Sequence, residues 1–308
     1  MNNTPTFSII IPTYNQSSYL QSALLSVCRQ TNTDWEAIVV NNFSIDDTIK
    51  VVEKINDSRI KLYNFNNNGI IAASRNYAIS VSSGKYLAFL DSDDLWFLDK
   101  LETSLEYLDA GFDLVCHGLC WFGERGKRDC FYGPASRATF ESLLFNGNCI
   151  ATSATVVKRA AVNSVGRFSE DTNIVTAEDY HLWLKLSKTE IKFGFIKKIL
   201  GGYRIHSNNS SNPLKQAAAV KYVVNQFLSQ ELGGNLISII RMYRRNAIID
   251  YSVGRRLQID GRFSYAQPHF INSIIKYPLL LKAYIAMILN FFQIRLDGFK
   301  YKENSDVS

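Results

Sequence analysis

An α/β fold on a mostly parallel, doubly wound central sheet is what the first third of this sequence predicts, and three observations carry that prediction. Apolar, β-branched runs alternate with helical patterns between residues 6 and 94, at the spacing of strand–helix–strand units. Each strand-like run ends in polar residues: "PTYN" (12–15), "NNFS" (41–44), "NNNG" (66–69) and "DSDD" (91–94). And 46% of the 308 residues are hydrophobic, enough for a sizeable core and too many for a disordered chain.

The elements follow in order. "TFSIIIPTYN" reads as a first strand closed by Pro12. "SSYLQSALLSVCRQT" places Tyr19, Leu20, Ala23, Leu24 and Val27 at helical spacing. "WEAIVVNNFS" is a second strand. "DDTIKVVEKIN" is a helix that Asp46 or Asp47 can cap. "IKLYNFN" is a short third strand, "GIIAASRNYAISVSSG" a helix with Gly84 as its stop, and "KYLAFLD" a fourth strand. Right-handed crossovers between parallel strands bring all four polar tails to one edge, where ligands of such sheets bind.

Beyond Leu95 the pattern is mixed. A helix over "LDKLETSLEYLDAG" precedes strands rich in aromatic residues. "AEDYHLWLKLSK" opens a helix at Glu178–Asp179, and "IKFGFIKKILGGYRIHSNNSS" reads as strands ending in a polar loop. Pro213 marks a boundary, after which the chain becomes helical and basic. Residues 1–214 carry 21 Lys+Arg against 22 Asp+Glu, whereas residues 215–308 carry 13 against 6. That excess, in "RMYRRN" and "GRRLQIDGR", suits anionic lipid or a diphosphate. Nucleic acid is the weakest of the three partners, because no zinc-finger or RNA-recognition signature accompanies the charge. The segment 277–294 is apolar apart from a narrow stripe of Lys282, Asn290 and Gln293. It can pack on its own domain, lie in a membrane interface or span a bilayer.

"FSIIIP" is too short for a signal peptide, so the chain is expected to be cytoplasmic, with its five cysteines reduced. "CHGLC" (Cys116–Cys120) invites a metal reading. On a strand, residues four apart lie roughly 13 Å from each other, so buried small residues are the better reading.

Three stretches carry candidate chemistry. In "DSDD", Asp91, Asp93 and Asp94 crowd a turn after a buried strand. A divalent cation would answer their repulsion; the structural alternative is a helix cap by Asp93 or Asp94 for a helix starting at Leu95. Glu178 and Asp179 are either helix-dipole acids or a general base, and the sequence leaves these even. His206 follows a strand and precedes a polar loop, where a satisfied histidine or a ligand are both open.

With these pieces in order, the chain resembles the family 2 glycosyltransferases of the GT-A fold, over about two thirds of its length. The resemblance rests on "SIIIPTYN", "IVVNNFSIDDT", "ASRNYAISVSSGKYLAFLDSDDLW", "VGRFSED" with "AEDYHLWLKL", and "YRIHSNNSS". It implies a Rossmann-like, mostly parallel sheet with flanking helices in residues 1–212 (a nucleotide-binding half, 1–95, and an acceptor half, 96–212). Residues 213–308 form a helical extension able to associate with a membrane. It further implies inverting transfer of a sugar from a nucleoside-diphosphate sugar, by default UDP-linked, to an acceptor hydroxyl. A lipid-diphosphate-linked saccharide of O-antigen or another surface polysaccharide, met at the inner membrane face, is the expected acceptor. By the same resemblance, Pro12, Tyr14 and Asn41 lie against the nucleobase and Arg75 approaches the nucleotide. Asp91 is near the ribose and the metal's water shell, Asp93 ligates Mn²⁺ or Mg²⁺, and His206 can complete that site. Asp179 is the base, with Glu178 in reserve. Three departures stand out: Asn41 replaces a usual Asp, Phe43 a common Gly, and His181 a common Asp. A non-catalytic sugar-nucleotide-binding protein of the same fold is the rival. A dinucleotide-dependent oxidoreductase is not, since no G-x-G-x-x-G follows the first strand.

Overall fold

The computed structural model describes residues 4–124, 126–206, 212–231 and 236–296. The first part is β1 (Phe7–Thr13), α1 (Ser17–Cys28), β2 (Trp35–Asn41), α2 (Thr48–Ile55), β3 (Ile60–Asn64), α3 (Ile71–Val81) and β4 (Tyr86–Phe89). These strands pair in parallel in the order β3-β2-β1-β4. Alternation sorts their side chains. Ile10, Ile38, Val40, Leu87 and Phe89 face one core layer; Ile9, Ile11, Ala37, Val39 and Ala88 face the other.

The second part is mixed. It comprises β5 (Leu95–Trp96), α4 (Lys100–Asp109), β6 (Leu114–Gly123), β7 (Gly126–Cys130), α5 (Phe140–Asn146), β8 (Thr155–Lys158), α6 (Arg159–Ser164), α7 (Glu178–Ser187) and β9 (Phe193–Ile205). The sheet continues from β4 through β8, β6 and β9 to β5. β8 is antiparallel to both neighbours, β6 and β9 are parallel, and β7 returns as a hairpin on β6. No helix starts at Leu95. Leu95 and Trp96 pair with Gly202 and Gly201, and the helix waits for Lys100, so neither Asp93 nor Asp94 is a cap.

One other local expectation is corrected and one is narrowed. Helix α3 ends at Val81 with Ser82 extended, so Gly84 is not its stop. A Cβ there would sit 2.6 Å from the Ser8 backbone nitrogen, so Gly84 is needed for close approach to β1. At α2 it is Asp46, not Asp47, that serves the helix start: its carboxylate accepts from the Thr48 amide and hydroxyl, and also from the Ser17 amide of α1. Cys116 and Cys120 lie on β6 as expected, and both are free thiols.

The C-terminal helices are α8 (Pro213–Glu231), α9 (Leu236–Ile259), α10 (Phe263–Lys276) and α11 (Leu281–Phe291). Pro213 opens α8 but does not divide the core. Ala219, Val223, Val224, Phe227 and Leu228 are buried in the same cluster as Leu143, Tyr180 and Trp183. Helices α9 to α11 pack around smaller centres at Phe270 and Ala247. The expected polar loop after His206, including Ser211, and the basic end at Lys300 and Lys302 lie outside the described residues.

Candidate active site

The four polar strand tails do converge. The Asn15 amide donates to Ser44 Oγ, and the Asn67 amide to Asn42 Oδ1. Ser92 Oγ donates to Gln16 Oε1 at 2.5 Å. The edge thus built is lined by the end of β4, the start of α7 and the β9 terminus, around a cleft of about 460 Å³ that includes Arg75, Asp91, Asp94, Thr152, Glu178 and Asp179.

Arg75 organises its floor. Buried on α3, it donates to Asp91 Oδ1 at 2.7 Å and to Glu178 Oε1 at 2.6 Å. Burial alone would push its pKa down; Asp91 and Glu178 outweigh burial and hold it raised. Glu178 is fully engaged, for its second oxygen accepts from the Thr176 amide at 2.9 Å. Thr176 adopts φ +82°, a strained value for a β-branched residue, beside this bond.

Asp179 differs from its neighbour. Its Oδ2 accepts from Thr152 Oγ at 2.9 Å and its Oδ1 from the Tyr180 amide at 2.6 Å. Burial, followed by the charge of Glu178, pushes its pKa up to about 6, with Arg75 pulling the other way. A carboxylate tuned toward neutrality and facing a cleft has the chemistry of a general base.

The acidic turn sorts itself likewise. Asp91 is turned to Arg75, so of the three predicted metal ligands only Asp93 and His206 meet, with Nε2 to Oδ2 at 3.0 Å. Gln16 adds a long contact to the same oxygen at 3.4 Å. Asp93 is shifted up by burial and by Asp91, against the pull of His206. Asp94 is buried further and shifted well above the usual carboxylate range, by burial first and then by Asp93 and Asp91. Its Oδ1 accepts from the Arg204 amide at 3.0 Å, while its Oδ2 has no partner among the described residues.

A family model for "Glycosyl transferase family 2" matches residues 8–142. The chain is 31% identical to the "Putative teichuronic acid biosynthesis glycosyltransferase TuaG" of Bacillus subtilis, over 73% of this chain and 89% of that one. The chain belongs to glycosyltransferase family 2. It is equally 31% identical to the Escherichia coli "UDP-Glc:alpha-D-GlcNAc-diphosphoundecaprenol beta-1,3-glucosyltransferase WfgD", over 81% of this chain and 98% of that one. It spans only 32% of the length of an uncharacterised glycosyltransferase of Rickettsia bellii to which it is 33% identical. In three dimensions it is similar to residues 1–349 of S. aureus TarS in complex with UDP-GlcNAc. The TM-score is 0.61 and the identity 17%, with 98% of this chain and 100% of that chain covered, a likeness of GT-A fold.

The three departures from this family's pattern have physical readings. Asn41 is fully buried: its amide donates to Asn64 Oδ1 at 2.8 Å and its carbonyl accepts from the Ser44 amide at 3.0 Å, so this side chain holds the loop and offers no exposed atom. Phe43 adopts φ +53°, the left-handed region that a glycine enters without cost, and leaves its ring exposed. Tyr14, on the β1 tail, is exposed too, while Pro12 is buried within β1. His181 faces away from the cleft; its ring lies 5.3 Å from Phe227 of α8, and burial pulls its pKa down to about 4. Its role here is packing between α7 and α8.

Several residues around the candidate site carry no signal in the sequence. Thr152 and Ser153 form a short 3₁₀ turn beside the cleft; the first binds Asp179, and the second accepts from the Asp91 amide at 3.2 Å. "ATSAT" carries no signal for this, because the partners lie 27 and 62 residues away. Gln16 and Arg204 are similarly invisible.

Proposed function

We propose that this family 2 enzyme transfers a sugar with inversion from a UDP-sugar to a hydroxyl of a lipid-diphosphate-linked saccharide in surface-polysaccharide synthesis. The observation that carries the reading is the division between Glu178 and Asp179. The first has both oxygens engaged by Arg75 and Thr176; the second faces the cleft with a pKa raised to about 6. In the proposed step Asp179 takes the proton of the acceptor hydroxyl. The acceptor oxygen bonds to the anomeric carbon, and that carbon's bond to the diphosphate oxygen breaks, its electron pair leaving with the diphosphate. One displacement needs one base and no enzyme nucleophile, and it inverts the centre.

Arg75 and Asp91 would position the nucleotide from the cleft floor, Tyr14 would offer its exposed ring to the base, and Asn41 and Pro12 would support the edge from within. Among the described residues, no three His, Cys, Asp or Glu side chains are grouped to hold an ion by themselves. The convergence of Asp93 and His206, with the orphaned Asp94 oxygen nearby in sequence, fits Mn²⁺ or Mg²⁺ bound jointly with substrate phosphates. Such an ion supplies charge neutralisation on the departing nucleoside diphosphate.

A lipid-linked acceptor would be met at a membrane surface, and the exposed apolar face of α11 supports that reading. It packs through Ala283, Ala286 and Asn290, the last donating to the Phe263 carbonyl and Gln267 at 2.9 Å, while Leu281, Ile285, Ile288 and Phe291 are exposed. A helix with its small and polar side inward and its large apolar side outward suits an interface. No helix among the described residues is long and apolar enough to cross a membrane.

Incubating the protein with UDP-sugars and Mn²⁺, with and without diphosphate-linked acceptors, tests the activity. Asp179→Asn is expected to lower turnover by about 10²–10⁴-fold while UDP still binds. Turnover unaffected by Asp179→Asn would remove the base assignment. UDP-sugar binding without any transfer by the wild-type chain would favour the non-catalytic rival.

A further inference from the structure

Past Asp179 the cleft continues into a second cavity of about 420 Å³, walled by the Asn146–Asn148 turn, the start of α7, and helices α8 and α9. Asn148, Thr176, Asp179, Gln216 and Arg256 line both spaces, so the candidate base stands at their junction. On the wall of the second cavity lies the guanidinium of Arg245, a residue only 6% exposed. No carboxylate pairs with it among the described residues. Among the described residues its Nε has no partner, and its hydrogen bond to the Tyr180 hydroxyl is long at 3.5 Å. The absence of a side chain at Gly147 (φ +94°) leaves room beside it; a Cβ there would lie 3.0 Å from the Arg245 terminal nitrogen.

An arginine stays protonated under all ordinary conditions, and a buried cation without a counter-charge is strongly disfavoured. Its neighbours in "RMYRRN" are committed elsewhere: Arg241 pairs with Glu141, and Arg244 donates to Asn146 at 2.8 Å. Arg256, half-exposed at the junction, makes among the described residues a long contact to Asp260 at 3.4 Å and adds a second positive charge. We propose that this cavity is an anion subsite in which Arg245, assisted by Arg256, binds a phosphoryl group of the acceptor. The C-terminal helices would thereby select acceptors that carry a diphosphate. The planar fork of Arg245 suits two phosphate oxygens at once, which a lysine would not reproduce. This assignment rests on the glycosyl-transfer reading above and deepens it.

The test is a specificity ratio. kcat/KM is measured for a saccharide acceptor bearing a diphosphate on a short alkyl chain, and for the same saccharide as a neutral alkyl glycoside. Wild type is expected to prefer the diphosphate form, and Arg245→Gln to lower that preference by about 10-fold or more, with Arg245→Lys between them. An unchanged ratio in Arg245→Gln overturns the proposal. Should Arg245→Gln fail to fold, Arg245→Lys and Arg256→Gln carry the same measurement. Inorganic pyrophosphate, titrated without metal and followed by thermal shift, is the second arm. Protection that Arg245→Gln abolishes, together with the altered ratio, supports the acceptor subsite. Abolished protection with an unaltered ratio assigns the cavity to free phosphate and overturns the acceptor role. If wild type turns over no nucleotide sugar, the transfer reading fails and the acceptor assignment with it, while the pyrophosphate arm still reports whether Arg245 binds an anion.

Discussion

Two adjacent carboxylates at one helix start, Glu178 and Asp179, have opposite fates because their partners differ. Arg75 and the Thr176 amide fix the first, whereas burial and its own neighbour's charge lift the second. The sign of the pH effect follows. A base must be unprotonated, so kcat/KM is expected to fall on the acid side with an apparent pKa near 6, well above an ordinary Asp. A pH–rate profile flat down to pH 5 would contradict this. The sequence displayed "DSDD" and "ED" as charge clusters but could not rank their members. Ranking depends on Arg75, Thr152 and His206, each brought in from a distant stretch. Arg245 was legible only as one charge in a basic run; that it is the buried one is a property of how α9 lies on α5 and α7.

At the level of elements, the parallel half was readable because each strand there is a run of β-branched residues bounded by turns, and each crossover helix is local. The half after Leu95 was not, since β5 exists only by pairing with Gly201 and Gly202, more than a hundred residues on. The same non-locality governs Gly84. Its amide donates to Ser8 Oγ, and Arg159 donates to its carbonyl at 2.5 Å, knitting α3, β1 and α6 at one point. Gly84→Ala would push a methyl into the Phe7–Ser8 backbone, and a loss of about 1–3 kcal/mol of stability is expected in urea unfolding. An unchanged midpoint would show that β1 yields there.

For the molecule as a whole, part of the charge asymmetry in the sequence goes into assembling the helices. Arg241 and Arg244 fasten α9 to α5, and Lys221 and Lys276 both pair with Asp250 between helices. What remains outward on the C-terminal helices is a large apolar surface, from Leu236 and Ile237 on α9 to Leu279, Leu281 and Phe291. Replacing Leu281, Ile285 and Phe291 by Ser is therefore expected to abolish flotation with anionic phosphatidylglycerol vesicles, without lowering the melting temperature. Equal flotation of the triple variant would remove α11 from the membrane contact.

One cation on α3 touches both halves of the cleft at once, and in the proposed function this would make a proton and a nucleotide aware of each other. Arg75 divides its field between Asp91, on the proposed donor side, and Glu178, next to the candidate base. A ligand hydroxyl that satisfies Asp91 frees more of that field for the pair at the start of α7, and so loosens the proton on Asp179. Reciprocity then requires that removing the proton tighten the ligand. UDP should bind more strongly as pH rises through 6, and Arg75→Lys, with its single point charge, should flatten that dependence; calorimetric titration across pH 5 to 8 reads both. The enzyme would thus hold its donor best in the protonation state that can use it.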